Sequence, residues 1–318
     1  MKIFPIASPR LLSLLPTTSA LLLTVLPAFA QKEAKEFQVG GPLGTINEAG
    51  VATPISENVK VYGSFRFAES CVYDAEKNLI VVMNAGVPQA QQENDGYVSL
   101  LHPDGSVHTT KWIGATRDGL TLNHPLGSAI LGRTLYTVDI DTARTFDLDS
   151  GEPGQSWQVP GATFLNGIAV AADGTVYASN TRDESRVYKI TASGEVSTFV
   201  DGEPLKAPNG VAIDPDGNIV VVNVGDSAVL TFSPDGTLAK TEHAAESGLD
   251  GLVILEDGTK YVSSVRYGSI SRIRPGGKAE IIASGIPNAA SMGYDSKQKQ
   301  LVIPMNNHNA VAFLKLED

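Results

Sequence analysis

The sequence predicts an all-β fold: a six-bladed β-propeller whose ring is closed by a strand from the N-terminal side. Three observations predict it. A phrase recurs at a period of about forty residues: NGIAVAADGTVYASN at 166–180, NGVAIDPDGNIVVVN at 209–223 and DGLVILEDGTKYVSS at 250–264, and such periods signal propellers or solenoids. Each copy reads as strand, Asp-Gly turn, strand, and a second Gly-centred hairpin follows in most units, as in RVYKITASGEVSTFV and AVLTFSPDGTLAKTE. The final unit, ending in NAVAFLKLED, stops one strand short.

The chain has 318 residues, and its start reads as a segment apart from the fold. Lys2 and Arg10 precede an apolar stretch that ends in Ala28-Phe29-Ala30, the pattern of a secretory signal cleaved before Gln31. Pro16 and Pro27 interrupt that stretch, which is short for a spanning helix. The expected organisation is therefore a signal peptide over 1–30, a lead-in over 31–57 and a propeller over 58–318, in a periplasmic or secreted protein. No membrane association is expected after cleavage, and the chain is expected to be monomeric.

The units follow in order. ESCVYDAEKNLIVVM at 69–83 matches the phrase without a gap, LGSAILGRTLYTVD at 126–139 with one deletion, and NAASMGYDSKQKQLVIP at 288–304 with a short insertion. Six units result, beginning at 69, 126, 166, 209, 250 and 288, with no credible helix after residue 30. The fourth strand missing from the last unit is expected in NVKVYGSFRF at 58–67; closing the ring this way removes exposed edges.

Charge narrows the partners. The net charge is −11, or −13 once the two cationic residues of the signal segment are removed. An acidic protein repels phosphate backbones, so nucleic acid is not an expected partner, whereas a cation is attracted. Cys71 is the single cysteine, so no internal disulfide forms; two residues after Glu69 on a buried strand, it reads as core. There is no G-x-S-x-G elbow for a serine hydrolase and no Gly-rich phosphate loop.

In a propeller the innermost strand of each blade starts at the mouth of the central channel, so the first letters of the six units converge: Glu69, Leu126, Asn166, Asn209, Asp250 and Asn288. Five carry oxygen, and converging carboxylates and amides need a cation between them. With no His or Cys in the column, a hard oxygen-liking ion such as Ca²⁺ fits best, with another divalent cation as the alternative. Asn-Gly and Asp-Gly also occur simply because they turn well, but Glu69 is followed by Ser70, and Glu is not a turn former.

AESCVYD, FLNGIAVAADG, APNGVAIDPDG and GLDGLVILEDG resemble the calcium-dependent propellers that include gluconolactonase, regucalcin and luciferin-regenerating enzyme. The resemblance spans roughly 58–318. It implies a six-bladed propeller with a divalent metal in its tunnel, held by Glu69, Asn166, Asn209 and Asp250. Two positions depart from the family pattern: Ala68, where a loop residue is common, and Gly167, where some relatives carry Asp.

The expected function is a metal-dependent hydrolase, most nearly a lactonase acting on a small ester or lactone; the alternative is a non-catalytic ligand- or partner-binding propeller with a structural cation. Asp250 and His124 are the candidate catalytic residues. Asn84, Asp139, Asn180, Arg182, Asn223, Arg266, Asn288 and His308 are the candidate substrate-binding residues, because the ends of the second strands and the loops after them open on the same face.

Overall fold

A computed structural model describes residues 59–87, 93–114 and 120–317, and the backbone of three short strands ahead of them, Gly41–Pro42, Gly44–Ile46 and Ala52–Pro54. The expected signal segment lies outside the described residues.

Six antiparallel sheets follow one another along the chain. Blade one consists of Ala68–Asp74, Leu79–Asn84, Tyr97–Leu101 and Val107–Gly114. Blade two consists of Pro125–Leu131, Thr134–Asp139, Thr142–Asp147 and Pro153–Gln158. Blade three runs Leu165–Val170, Val176–Asn180, Arg186–Ile190 and Val196–Asp201. Blade four runs Pro208–Ile213, Ile219–Asn223, Ala228–Phe232 and Leu238–His243. Blade five runs Leu249–Ile254, Lys260–Ser264, Ser269–Ile273 and Glu280–Ala283. Blade six supplies Gly293–Asp295, Gln300–Met305 and Ala310–Lys315, and Val59–Gly63 completes it by pairing antiparallel with Ala310–Lys315. Gly41–Pro42, from the lead-in, pairs on the outer side of Val59–Gly63. Among the described residues the one helical element is the 3₁₀ turn Asn306–His308, and no helix is long and apolar enough to cross a membrane.

The core is distributed as six clusters, one between each pair of neighbouring blades. Val81 and Val98 of blade one meet Leu135 and Phe146 of blade two, while Ile80 and Val82 face Val302 and Phe313 of blade six. Side chains alternate across a strand, so a second strand packed on both faces is apolar at every position. Leu79–Val82 and Ile219–Val222 are such runs. Outer strands such as Val107–Gly114 and Leu238–His243 face solvent and carry the polar residues.

Candidate functional site

Contacts between neighbouring inner strands fix the register of the channel column. Ser70 Oγ donates to the carbonyl of Leu126. A Cβ on Gly127 would lie 2.3 Å from the carbonyl oxygen of Asn166, one on Gly167 2.1 Å from that of Asn209, one on Gly210 2.4 Å from that of Asp250, and one on Gly251 2.7 Å from that of Ala290. Ser291 N then donates to the carbonyl of Glu69 at 3.0 Å and closes the circle. Side chains repeat the register: Ser179 Oγ donates to Asn209 O, and Ser263 Oγ to Ala290 O at 2.8 Å. The column is therefore Glu69, Leu126, Asn166, Asn209, Asp250 and Ala290. Asn288, expected in it, sits two residues earlier, in left-handed backbone at φ 52°.

The glycines after Asn166, Asn209 and Asp250 are not turn residues. None of Gly167, Gly210 and Gly251 has a positive φ; each is Gly because the next blade's backbone occupies the space of a side chain. An Asp at 167, as in some relatives, has no room here.

Glu69, Asn209 and Asp250 are 4 %, 3 % and 3 % exposed, and Asn166 is also buried. Asn306 Nδ2, just past the second strand of blade six, donates to Glu69 Oε2 at 2.9 Å; Asn209 Nδ2 donates to Asp250 Oδ2 at 3.2 Å. Asn209 Oδ1 and Asp250 Oδ1 are buried and meet no hydrogen-bond donor. Burial pushes the Glu69 carboxyl up to about 7, against the opposing pull of the Asn306 hydrogen bond. Burial and then the nearby charge of Glu69 raise Asp250 well above the usual carboxylate range. Two desolvated carboxyls that repel one another, beside undonated oxygens, form the donor set of a hard divalent cation. The residues present fit calcium.

A second layer lies two residues before the column: Phe67, His124, Phe164, Ala207, Gly248 and Asn288. These residues precede the inner strands, so this ring lies on the mouth side of the column. Over blades one to three it is aromatic: the His124 ring lies 6.1 Å from Phe67, stacked, and 6.1 Å from Phe164. Over blades four and five it shrinks to Ala207 and Gly248. Phe67 is held at φ 51°, an uncommon conformation for a bulky residue, by a 2.7 Å hydrogen bond from its N–H to Asn309 Oδ1. His124 is 1 % exposed; Nδ1 lies 2.8 Å from Ala85 O, and Nε2 is buried without a partner. Burial lowers its pKa, with Arg182 adding to the effect and Asp139 opposing it. Its ring is therefore neutral, Nδ1–H donates to Ala85, and Nε2 carries the free lone pair.

The expected substrate-binding set divides. Asn84, Asp139, Asn180 and Asn223 end the second strands of blades one to four and are buried; their polar atoms hold the chain, except Asn223 Oδ1, which is buried without a hydrogen-bond partner. Asn84 Oδ1 accepts from Arg66 N, and its amide donates to Val82 O and Ser99 Oγ. Asp139 accepts from Asn123 N and His124 N and pairs with Arg144 at 2.8 Å. Asn180 accepts from Thr163 N and Phe164 N and donates to Arg182 O and Glu184 O. Asn223 donates to Pro204 O and Asp226 Oδ1. These four latch the loop that enters each inner strand, and Ser264 does the same in blade five through Ser247 O. Arg182, Arg266 and His308 are exposed at this end. The sequence reading missed Asn306 as the residue that orients Glu69, and Phe67 and Phe164 as the mouth's aromatic wall; a two-residue offset from the column identifies the latter two.

The comparisons agree with this fold. A family model described as SMP-30/Gluconolactonase/LRE-like region matches residues 53–244. Among solved structures, a gluconolactonase from Xanthomonas campestris superposes with a TM-score of 0.60 at 17 % identity, covering 82 % of this chain and 91 % of that one. A virginiamycin B lyase from Staphylococcus aureus gives 0.56 at 13 % identity, covering 86 % and 87 %. A chain from a nidogen/laminin complex gives 0.59 at 14 % identity, covering 78 % and 90 %. At such identities the likeness is one of fold, a propeller that these proteins put to different uses. No curated protein matches the chain. With the family model spanning more than half of its length, the chain belongs to the SMP-30/gluconolactonase/LRE-like family.

Proposed function

We propose that this protein is a calcium-dependent hydrolase of a small ester or lactone, with Glu69, Asn166, Asn209 and Asp250 as the ion's ligands. The observation that carries the reading is the pair of buried, undonated oxygens, Asn209 Oδ1 and Asp250 Oδ1, beside a second buried carboxyl. Family membership supports the lactonase assignment.

A divalent cation held there supplies a Lewis acid for the ester carbonyl. The chain's own residues do the rest. Asn306 fixes the orientation of Glu69. Asn209 ties down Asp250 Oδ2 and leaves Oδ1 for the ion, and the Asp250 carboxylate would orient the attacking water and take its proton. His124 Nε2 offers a second acceptor one layer nearer the mouth. The aromatic wall of Phe67, His124 and Phe164 limits water on one side.

A panel of lactones assayed with and without chelator tests the reading. Turnover that falls with chelator and returns with calcium is expected. Tight calcium binding with no turnover of any lactone would make the ion a structural plug and the protein a binding propeller.

A further inference from the structure

The mouth is lopsided, aromatic over blades one to three and lined by small residues over blades four and five. Arg182 and Arg266 occupy equivalent positions, two residues beyond the second-strand ends Asn180 and Ser264. Both are exposed, and among the described residues neither has a carboxylate partner. The Arg182 guanidinium lies 3.8 Å from the centroid of the Phe164 ring. Arg266 lies against the second layer in blade five, where a Cβ on Gly248 would sit 2.5 Å from its own Cβ. Between them, blade four has Gly225 at the equivalent position and Ala207 in the second layer, both small. Two guanidiniums without carboxylate partners thus stand on either side of blade four, on a chain whose net charge is −11. Arg182 borders the aromatic wall through Phe164, and the wall's polar atom without a partner is the buried Nε2 of His124.

We infer that the substrate of this site is an anionic lactone: its carboxylate is taken by Arg182 and Arg266, and a hydroxyl donates to His124 Nε2. The inference rests on the hydrolase reading for the reaction, but the recognition stands on the mouth alone. A planar guanidinium presents two parallel N–H donors to a carboxylate, and stacking on Phe164 holds that of Arg182 in one orientation. A neutral His124 with Nδ1–H committed to Ala85 O can only accept at Nε2, which selects a donor such as a sugar hydroxyl. A neutral lactone leaves both arginines without partners and gains less.

The test uses the calcium-loaded full chain, its Arg182→Gln, Arg266→Gln double variant, and two probes of similar size, glucono-1,5-lactone and glucaro-1,4-lactone, of which only the second bears a carboxylate. The parent is expected to prefer glucarolactone in kcat/KM, through a lower KM, and the double variant to lose at least about tenfold of that preference, the loss of one charge-assisted hydrogen bond. Calorimetric binding of glucarate provides a readout independent of turnover and should weaken by a similar factor in the double variant. Glucarate binding and lactone preference both unchanged in the double variant overturn the inference, whether or not the protein hydrolyses lactones. Arginine-dependent glucarate binding without hydrolysis of either lactone sustains the anion site and overturns the hydrolase reading instead.

Discussion

Acidic side chains at the two ends of the inner hairpins have opposite fates. At the turn end, Asp173 and Asp257 accept backbone N–H groups from Thr175 and Thr259, each at 2.9 Å, and those bonds lower their pKa values. Asp74 is buried, which alone would raise it, but two hydrogen bonds from Arg133, each at 3.0 Å, and the N–H groups of Glu76 and Lys77 outweigh burial and bring it down. At the channel end, Glu69 and Asp250 have one side-chain donor each, both amides, and are raised. The blade is the same length of sequence from one end to the other; what differs is whether the fold supplies donors. The end that leaves carboxylates short of donors is the end where the proposed function puts a cation.

The sharpest way to break this contrast is at Asp250. Asp250→Asn keeps an oxygen ligand and the side chain's shape but removes the charge and the base. Calcium affinity should fall at least about a hundredfold by calorimetry, and saturating calcium should not restore turnover, which is expected to drop about 10²–10⁴-fold. Near-parental turnover at calcium saturation would remove Asp250 from both roles and leave His124 as the base.

Gly167→Ala tests whether the column is set by backbone approach between blades. Its Cβ would meet the Asn209 carbonyl at 2.1 Å, so blades three and four must part. Overpacking of this kind should cost about 3 kcal/mol in denaturant unfolding and weaken calcium binding, because Asn209 moves. Parental stability would mean that the inner strands slide freely past one another.

The pH dependence of the metal-free protein should have opposite signs at the two ends. At the channel end the folded pKa of Glu69 is raised from 4.5 to about 7. The folded chain therefore binds protons more tightly than the unfolded one, and stability falls as pH rises through that window. Glu69→Gln should flatten the fall and stabilise the chelator-treated protein near pH 7 by about 2 kcal/mol. A variant no more stable than its parent at pH 7 would show that Glu69 is not short of donors after all.

At the turn end, Arg133→Ala leaves Asp74 buried without its guanidinium and should cost about 1–2 kcal/mol, less than for a fully buried pair because Arg133 is partly exposed. The folded pKa of Asp74 is depressed. The penalty should therefore be complete above about pH 4 and vanish as pH falls through the lowered folded value. A penalty independent of pH would make it one of lost packing.

Much of this was legible because a repeat states the same physics several times. The phrases beginning at Asn166, Asn209 and Asp250 carry the strand, the turn and the column residue in register, so the blade count and three of the four candidate ligands follow from aligning them. Blade six was not legible at the same resolution. Its column residue is Ala290, which carries no signal, and Asn288 two positions earlier imitates the start of the phrase. The roles of Asn84, Asp139, Asn180 and Asn223 were hidden for a related reason: a polar side chain at a strand end looks the same whether it meets a ligand or the loop packed over it.

The sequence by itself determined that the chain would be a ring of six four-stranded units, because period, turn chemistry and apolar runs are local and repeat. It also determined the oxygen-bearing side chains at the heads of units one, three, four and five. Only the tertiary structure decided how many donors each carboxyl would find, that the glycines serve blade-to-blade approach rather than turns, and that the mouth would be aromatic on one side and lined by small residues on the other. Those properties depend on neighbours about forty residues apart in the chain, or on opposite sides of the ring, and burial and hydrogen-bond partners exist only once the blades have closed.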